Sequence, residues 1–282
     1  MKIVECPRDA MQGLHEFIPT ETKVKYINQL LKVGFYTIDF GSFVSPKAIP
    51  QLRDTADVLA QLNLEQTSSK LLAIVANKRG ADDACHFEEI DYLGFPLSIS
   101  EQFQVRNTNK SIDEALKVVE DIQNLTVQRN KKQVVYISMG FGNPYGESFN
   151  KEIVASFIQR LAQLDISIIS LSDTIGVAEP QLIKEIFETT IATYPSIEIG
   201  AHFHSTPNKA VEKIEAAFEA GCQRFDSAVK GFGGCPMAKD DLTGNVATET
   251  LLTYLDQKSK NLNLNMDEFA KAIEMSLKVF PN

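Results

Sequence analysis

Two hydrophobic periods take turns along the chain. Short apolar runs of strand length, such as residues 71–76, 134–139 and 166–171, are separated by longer stretches in which apolar residues recur every three to four positions. The first pattern predicts buried strands and the second amphipathic helices. Strands are predicted at 2–6, 36–40, 71–76, within 90–99, at 134–139, 166–171, 197–203 and 224–229. Helices are predicted from Thr20 to about Val33, from Ser45-Pro46 to about Leu62, and weakly over 79–87. Others follow Ser111 (whose capping box is completed by Glu114) to about Gln128, and span 150–164, 179–194, 207–220, 242–255 and 266–278. Residues 7–12 and 101–110 read as polar loops.

Eight strands alternating with helices predict parallel βαβ units in an α/β fold. No Gly-x-Gly-x-x-Gly follows the first strand, and eight repeats in 282 residues match a (β/α)8 TIM barrel with additional C-terminal helices. No composition shift marks a boundary, so the expectation is a single domain over 1–282, with the helices from about residue 242 packed on the barrel. In such barrels the chemistry lies at the C-terminal ends of the strands.

The seventh strand ends in Gly200-Ala201-His202-Phe203-His204-Ser205-Thr206 and carries two of the four histidines. Alternation puts Ile197, Ile199, Ala201 and Phe203 on one face and His202 and His204 on the other. Two imidazoles about 7 Å apart along a strand can converge on one metal ion if a carboxylate or amide joins them.

The charge balance narrows the class. A net charge of −9 argues against a nucleic-acid or membrane-surface binder, so the expected partners include neither. No run of 18 apolar residues exists. Met1 leads into a strand-like segment rather than a signal peptide, and the cysteines, Cys6, Cys85, Cys222 and Cys235, form no Cys-x-x-Cys pair. Both features fit a reducing cytoplasm.

Polar chemistry gathers at the other predicted strand ends too: Pro7-Arg8-Asp9, Asp39-Phe40-Gly41-Ser42, Gly142-Asn143-Pro144-Tyr145, Asp173-Thr174 and Gly233-Gly234-Cys235-Pro236, with Gly244-Asn245 before the next helix. Together with Ser42-Phe43-Val44-Ser45-Pro46-Lys47, Asp173-Thr174-Ile175-Gly176-Val177 and Gly244-Asn245-Val246-Ala247-Thr248-Glu249, in this order, the chain resembles the pyruvate carboxyltransferase-like metal barrels. Among them it is most similar to the 3-hydroxy-3-methylglutaryl-CoA lyases, over nearly its whole length.

The resemblance implies a metal-dependent carbon–carbon lyase acting on an acyl-CoA thioester, with Asp9, His202, His204 and Asn245 binding a divalent cation. A carboxylate, two imidazoles and an amide oxygen suit Mg2+ or Mn2+. It further implies that Arg8 stabilises the thioester enolate and that Asp39, His202 and Cys235 are catalytic. Cys235 would sit on a closing glycine-rich loop, and His202 would move protons as well as bind metal. Gln12, Ser42, Tyr136 and Thr174 match substrate-contacting positions. Lys47, Arg106 and Lys110 are candidates for CoA phosphates, and a homodimer is the default assembly.

Four positions depart from the family. Asp39 stands for glutamate, Ser205 for aspartate, Lys230 for a small apolar residue, and residues 237–243 are one longer and carry Asp240-Asp241. These leave three other readings open: a Claisen-condensing or other hydroxy-acid aldolase of the same superfamily, a Schiff-base aldolase using Lys230, and a barrel that binds acyl-CoA without turning it over.

Overall fold

The computed structural model describes residues 1–234 and 243–280. Eight parallel strands close into a barrel in sequence order: β1 Lys2–Glu5, β2 Thr37–Ser42, β3 Lys70–Ile74, β4 Ile90–Ser98, β5 Lys132–Ser138, β6 Ile168–Asp173, β7 Glu198–Phe203 and β8 Arg224–Ser227. β8 pairs back onto β1, Lys2 with Arg224 through Glu5 with Ser227, so no strand edge is left open. All eight predicted strands are present, and the expected TIM barrel is the observed fold.

The helices are α1 Pro7–Gln12, α2 Thr20–Leu31, α3 Thr55–Leu59, α4 Lys78–Cys85, α5 Glu101–Thr108, α6 Ile112–Gln128, α7 Lys151–Gln163, α8 Pro180–Thr193, α9 Ala210–Glu219, α10 Thr248–Gln257 and α11 Met266–Val279. Two segments expected as loops are helical. Pro7 at the first helical position starts α1, and the Ser100 hydroxyl caps α5 by accepting from the Phe103 N–H at 3.1 Å. Conversely, the long helix expected from Ser45 to Leu62 is a short 3-10 turn at Pro50–Leu52 followed by α3. Pro50 breaks it, because proline lacks an N–H and disfavours helix in the residue before it. The capping box of Ser111 and Glu114 is formed as expected.

Apolar side chains on the outer faces of the strands pack against the helices in one continuous core. The barrel interior is divided. Leu72, Ile74, Tyr92, Val134, Tyr136 and Ile168 fill the side formed by β3 to β6. The opposite side is polar: Asp39, Arg224, Asp226 and His202 are all buried there. Arg224 is fully buried, its Nη1 3.3 Å from Glu198 Oε1. Gly200, its neighbour on β7, makes the room: a Cβ at Gly200 would stand 2.9 Å from Arg224 Cδ and 3.2 Å from Cγ.

One irregularity shapes the site above. The β2–β3 register shifts between Asp39 and Gly41. In an unbroken strand residues three apart face opposite sides, yet Asp39 lies in the barrel interior and Ser42 on the wall of the cavity at its mouth. The bulge reconciles the two. At the C-terminal end of β8, Ala228 and Ala247 form an isolated parallel bridge, closed by hydrogen bonds from Ala228 N to Val246 O and from Thr248 N to Ala228 O, both 3.0 Å. The chain between them thus leaves β8 and returns to the same place.

Gly200→Ala is expected to destabilise the protein by ~1–3 kcal/mol, the usual cost of overpacking, with no change of fold. Urea unfolding followed by circular dichroism measures it. A midpoint equal to that of the parent protein would show that Arg224 has another place to go.

Candidate active site

The barrel mouth places three groups from distant parts of the chain within one reach. α1 begins two residues after β1 and carries Arg8 and Asp9 in its first turn, both buried. Gln12, one turn on, locks the pair: its Nε2 donates to Asp9 Oδ1 at 2.7 Å while its Oε1 accepts from Arg8 Nη1 at 3.0 Å. Arg8 Nη1 also donates to Asp9 Oδ1 at 2.9 Å. The rest of the guanidinium forks onto Asp39 of β2, Nε lying 3.2 and 3.0 Å from the two carboxylate oxygens and Nη2 closing on Oδ2.

His202 and His204 face the same way from the end of β7, with ring centroids 5.4 Å apart. The second partner of each imidazole decides which nitrogen it presents. His202 Nδ1 donates to Asp226 Oδ2 at 3.2 Å, and His204 Nδ1 donates to the Thr174 carbonyl at 3.0 Å. Both therefore turn Nε2 away from these partners as a lone pair, the arrangement that metal-binding histidines adopt. His204 Nε2 is buried without a hydrogen-bond partner among the described residues and lies 3.8 Å from Asp9 Oδ2. One ligand atom each from Asp9, His202 and His204 fall within 4.8 Å of one another. A buried orphan nitrogen facing a carboxylate is costly in a protein alone and is satisfied by a cation between them, so this donor set fits a metal ion. Asn245 joins from the far side: it forms an isolated antiparallel bridge with His204, and its Nδ2 donates to Asp9 Oδ2 at 2.8 Å and to the Phe232 carbonyl at 2.9 Å.

The ligand atoms of a second trio, Cys6, His202 and Asp226, also lie within 4.8 Å of one another. It lies under the first, and neither Cys6 nor Asp226 reaches the cavity wall. Burial first, then the carboxylates of Asp226, Asp39 and Asp9, push the Cys6 thiol well above its usual range, which keeps it protonated and a poor ligand.

The charges are arranged to keep Asp9 ionised. Burial alone would raise its pKa, but Arg8, the His204 contact and the two imidazoles reverse that and hold it well below the usual carboxylate range. Asp39 goes the other way. Burial pushes it up, Arg8 pulls it back, and Asp9 and Asp226 push again, leaving it at about 6. Burial lowers His202, yet Asp226 and Asp9 outweigh it and its proton affinity is raised.

These groups line a cavity of about 130 Å³, the size of a small acyl group rather than of a nucleotide. Arg8, Asp9, Gln12, Ser42, Tyr136, Thr174, His202 and His204 are all on its wall, as their predicted roles require. Tyr136 stands edge-on to His202, centroids 5.5 Å apart. The Thr174 hydroxyl accepts the N–H of Met139, and the Ser42 hydroxyl accepts that of Val44. Asp39 is not on the wall: it lies behind Arg8 and reaches the cavity only through it. Cys235 and Asp240-Asp241 lie outside the described residues. Lys230 is exposed, in the left-handed region at φ 61°, and off the cavity wall, which removes the geometric basis for a Schiff-base lysine. Lys47, Arg106 and Lys110 are off the wall too; Arg106 packs on the Tyr145 ring, 5.6 Å from its centroid. A larger hollow of about 740 Å³ beside α10 and α11 holds no metal-ligating trio among the described residues, so size alone does not select the site.

Several residues here were not anticipated. Asp226 orients His202 with a carboxylate from β8, while Ser205 donates its hydroxyl to the Thr206 carbonyl and its N–H to Gly244 O. Its signal was available, since Arg224 and Asp226 are charges two apart on a strand otherwise buried. Phe103, Asn107 and Thr108 of α5 line the cavity and were hidden by reading that helix as a loop.

The profile of the HMGL-like family matches residues 2–275. Hydroxymethylglutaryl-CoA lyase YngG of Bacillus subtilis is 35% identical over 266 residues, covering 94% of this chain and 88% of the relative. The crystal structure of the Bacillus subtilis HMG-CoA lyase superposes with a TM-score of 0.91 at 33% identity, covering 98% of this chain and 92% of that one. An HMG-CoA lyase from Acinetobacter baumannii, in complex with coenzyme A and 3-methylmalate, gives a TM-score of 0.91 at 28% identity over 99% and 90% of the two chains. With sequence and fold agreeing along almost its whole length, the chain belongs to the HMGL-like family.

Proposed function

We propose that the protein is a divalent-cation-dependent lyase that cleaves 3-hydroxy-3-methylglutaryl-CoA to acetyl-CoA and acetoacetate, with 1–282 acting as one catalytic domain. The observation that carries this reading is the convergence of Asp9, His202 and His204 beside Arg8 on one small cavity, in a chain so similar to lyases of that name. Asp9, His202, His204 and Asn245 would hold Mg2+ or Mn2+. Bound there, the cation supplies Lewis-acid polarisation of the substrate's oxygens and lowers the pKa of its tertiary hydroxyl.

The chain's own groups carry the rest. The tertiary hydroxyl gives its proton to the hydrogen-bonded His202–Asp226 pair, the bond between C2 and C3 breaks, C3 becomes the ketone of acetoacetate, and the bonding pair stays on C2 as the thioester enolate. Arg8 places a fixed positive charge where that enolate develops; because Asp39, Asp9 and Gln12 already hold the guanidinium, no reorganisation is needed at the moment of reaction. Asp39 works through Arg8, so its shorter side chain in place of glutamate costs reach that Arg8 makes up. His202, with Nδ1 tied to Asp226, offers the cavity a single lone pair, for the cation or for a proton. Cys235 is assigned the return of a proton to C2, and the wall formed by Val44, Ile74 and Pro96 suits the substrate's methyl group.

Incubation with 3-hydroxy-3-methylglutaryl-CoA and Mg2+ or Mn2+ is expected to release acetyl-CoA and acetoacetate. EDTA should abolish turnover and added cation restore it; failure to form either product, with cation bound, would overturn the assignment. Arg8→Gln should lower kcat by a factor on the order of 10²–10³ while cation content stays at the parent level, the pattern of a lost transition-state contact. His204→Ala should be purified without its cation, as measured by elemental analysis, and full retention would remove His204 from the ligand set.

A further inference from the structure

Behind His204 stands a buried ion pair that the reaction does not use. Lys213, on α9, is completely buried, an unusual position for a lysine. Its Nζ lies 2.6 Å from Asp173 Oδ2 and 3.1 Å from the carbonyl oxygen of His204. Asp173, the last residue of β6, has both carboxylate oxygens engaged: Oδ1 accepts the Val177 N–H and Oδ2 the Ala178 N–H, each at 2.9 Å. Its backbone carbonyl in turn accepts the N–H of His204 at 3.1 Å. His204 is thereby held at three points: its N–H by Asp173, its carbonyl by Lys213, and its imidazole Nδ1 by the carbonyl of Thr174, the residue after Asp173.

We propose that Lys213 is a positioning residue for the cation site, gripping the His204 carbonyl and Asp173 together so that His204 Nε2 faces Asp9. The physical case rests on geometry and burial. His204 lies just beyond the end of β7, where its N–H still bonds the Asp173 carbonyl of β6 but its own carbonyl is taken up by Lys213. A fully desolvated ammonium is retained only if it is paired and hydrogen-bonded, and its two partners here are the groups that define where His204 sits. Removing one member of such a pair leaves the other charge uncompensated, so Asp173 and the turn at 174–178 would shift with it. Thr174 belongs to that turn, and its carbonyl selects the tautomer of His204. The loss of Lys213 therefore reaches the imidazole along two routes, through the His204 carbonyl and through Thr174.

This inference rests on His204 being a cation ligand, and the test separates the two. Mn2+ binding is measured by electron paramagnetic resonance titration on the parent protein, on Lys213→Met and on Lys213→Gln, with circular dichroism as a check of folding. The parent should bind Mn2+; Lys213→Met should bind it about tenfold or more weakly, in the range seen when groups supporting a metal ligand are lost. Lys213→Gln, which keeps a donor for the His204 carbonyl without the charge, should fall between them. A parent that binds no Mn2+ overturns the ligand reading itself. A folded Lys213→Met with parental affinity overturns the positioning role alone. A third measurement needs no variant: amide hydrogen exchange over α9 in the parent should slow when Mn2+ is added, because the coupling is reciprocal. Unchanged exchange there, with Mn2+ bound, also overturns it.

Discussion

A carboxylate buried at the mouth of a barrel stays ionised only if its surroundings hold it so, and Asp9 is the point at which this molecule meets that demand. Its two oxygens collect contacts from Arg8, Gln12, Asn245 and His204, brought from α1, from the segment before α10 and from the end of β7. Backbone bonds join two of them, Ser205 N–H to the Gly244 carbonyl and Val246 N–H to the Phe203 carbonyl. The side-chain contacts on Asp9 bring in the third, because an uncompensated negative charge in low dielectric would cost several kcal/mol. The same accounting spreads outward. Arg8 compensates Asp9 and Asp39 together, and Asp226 is shared between His202 and the nearby Arg224. The site is thus a chain of alternating charges that begins at the cavity and runs down into the barrel.

That chain explains the divided interior. Barrel cores are ordinarily filled by branched apolar side chains in layers. Here the side formed by β3 to β6 keeps that character, while the side nearest β7, β8, β1 and β2 is given over to Arg224, Asp226, His202 and Asp39. Gly200 is the local concession, a residue without a side chain opposite the largest side chain in the interior. Catalytic geometry at the mouth therefore has a foundation well below it, and packing deep in the barrel bears on which nitrogen His202 presents.

The architecture could be read from hydrophobic period and segment length together, because strands buried on both faces leave short apolar runs that alternate with longer amphipathic stretches. Every strand was found this way, with ends displaced by a residue or two. Failures came where local chemistry outweighed period. Pro7 and Ser100 each start a helix in polar surroundings, and Pro50 divides an apolar stretch that looked continuous. At the site, alternation on β7 was enough to put His202 and His204 on one face, and resemblance brought Asp9, Asn245 and Arg8 to them. What remained hidden was whatever depends on how neighbouring strands pair. That Asp226 sits behind His202 follows from the pairing of β7 with β8, in which the two residues are direct partners. That Ser42 shares a side with Asp39 follows from a bulge, and a bulge leaves no mark on composition.

The bridge between Ala228 and Ala247 separates β8 and α10 from the chain that runs between them. Both ends of that excursion are pinned to the barrel wall, to each other and, through Thr248 and Val229, to the buried carboxylate of Glu5. A change in its length is therefore absorbed between fixed anchors and passes neither into the register of β8 nor into α10. Closing a longer flexible loop is cheap, about 0.6 kcal/mol for each doubling. A connection anchored in this way can be rewritten over evolutionary time while the strand and the helix that flank it keep their places.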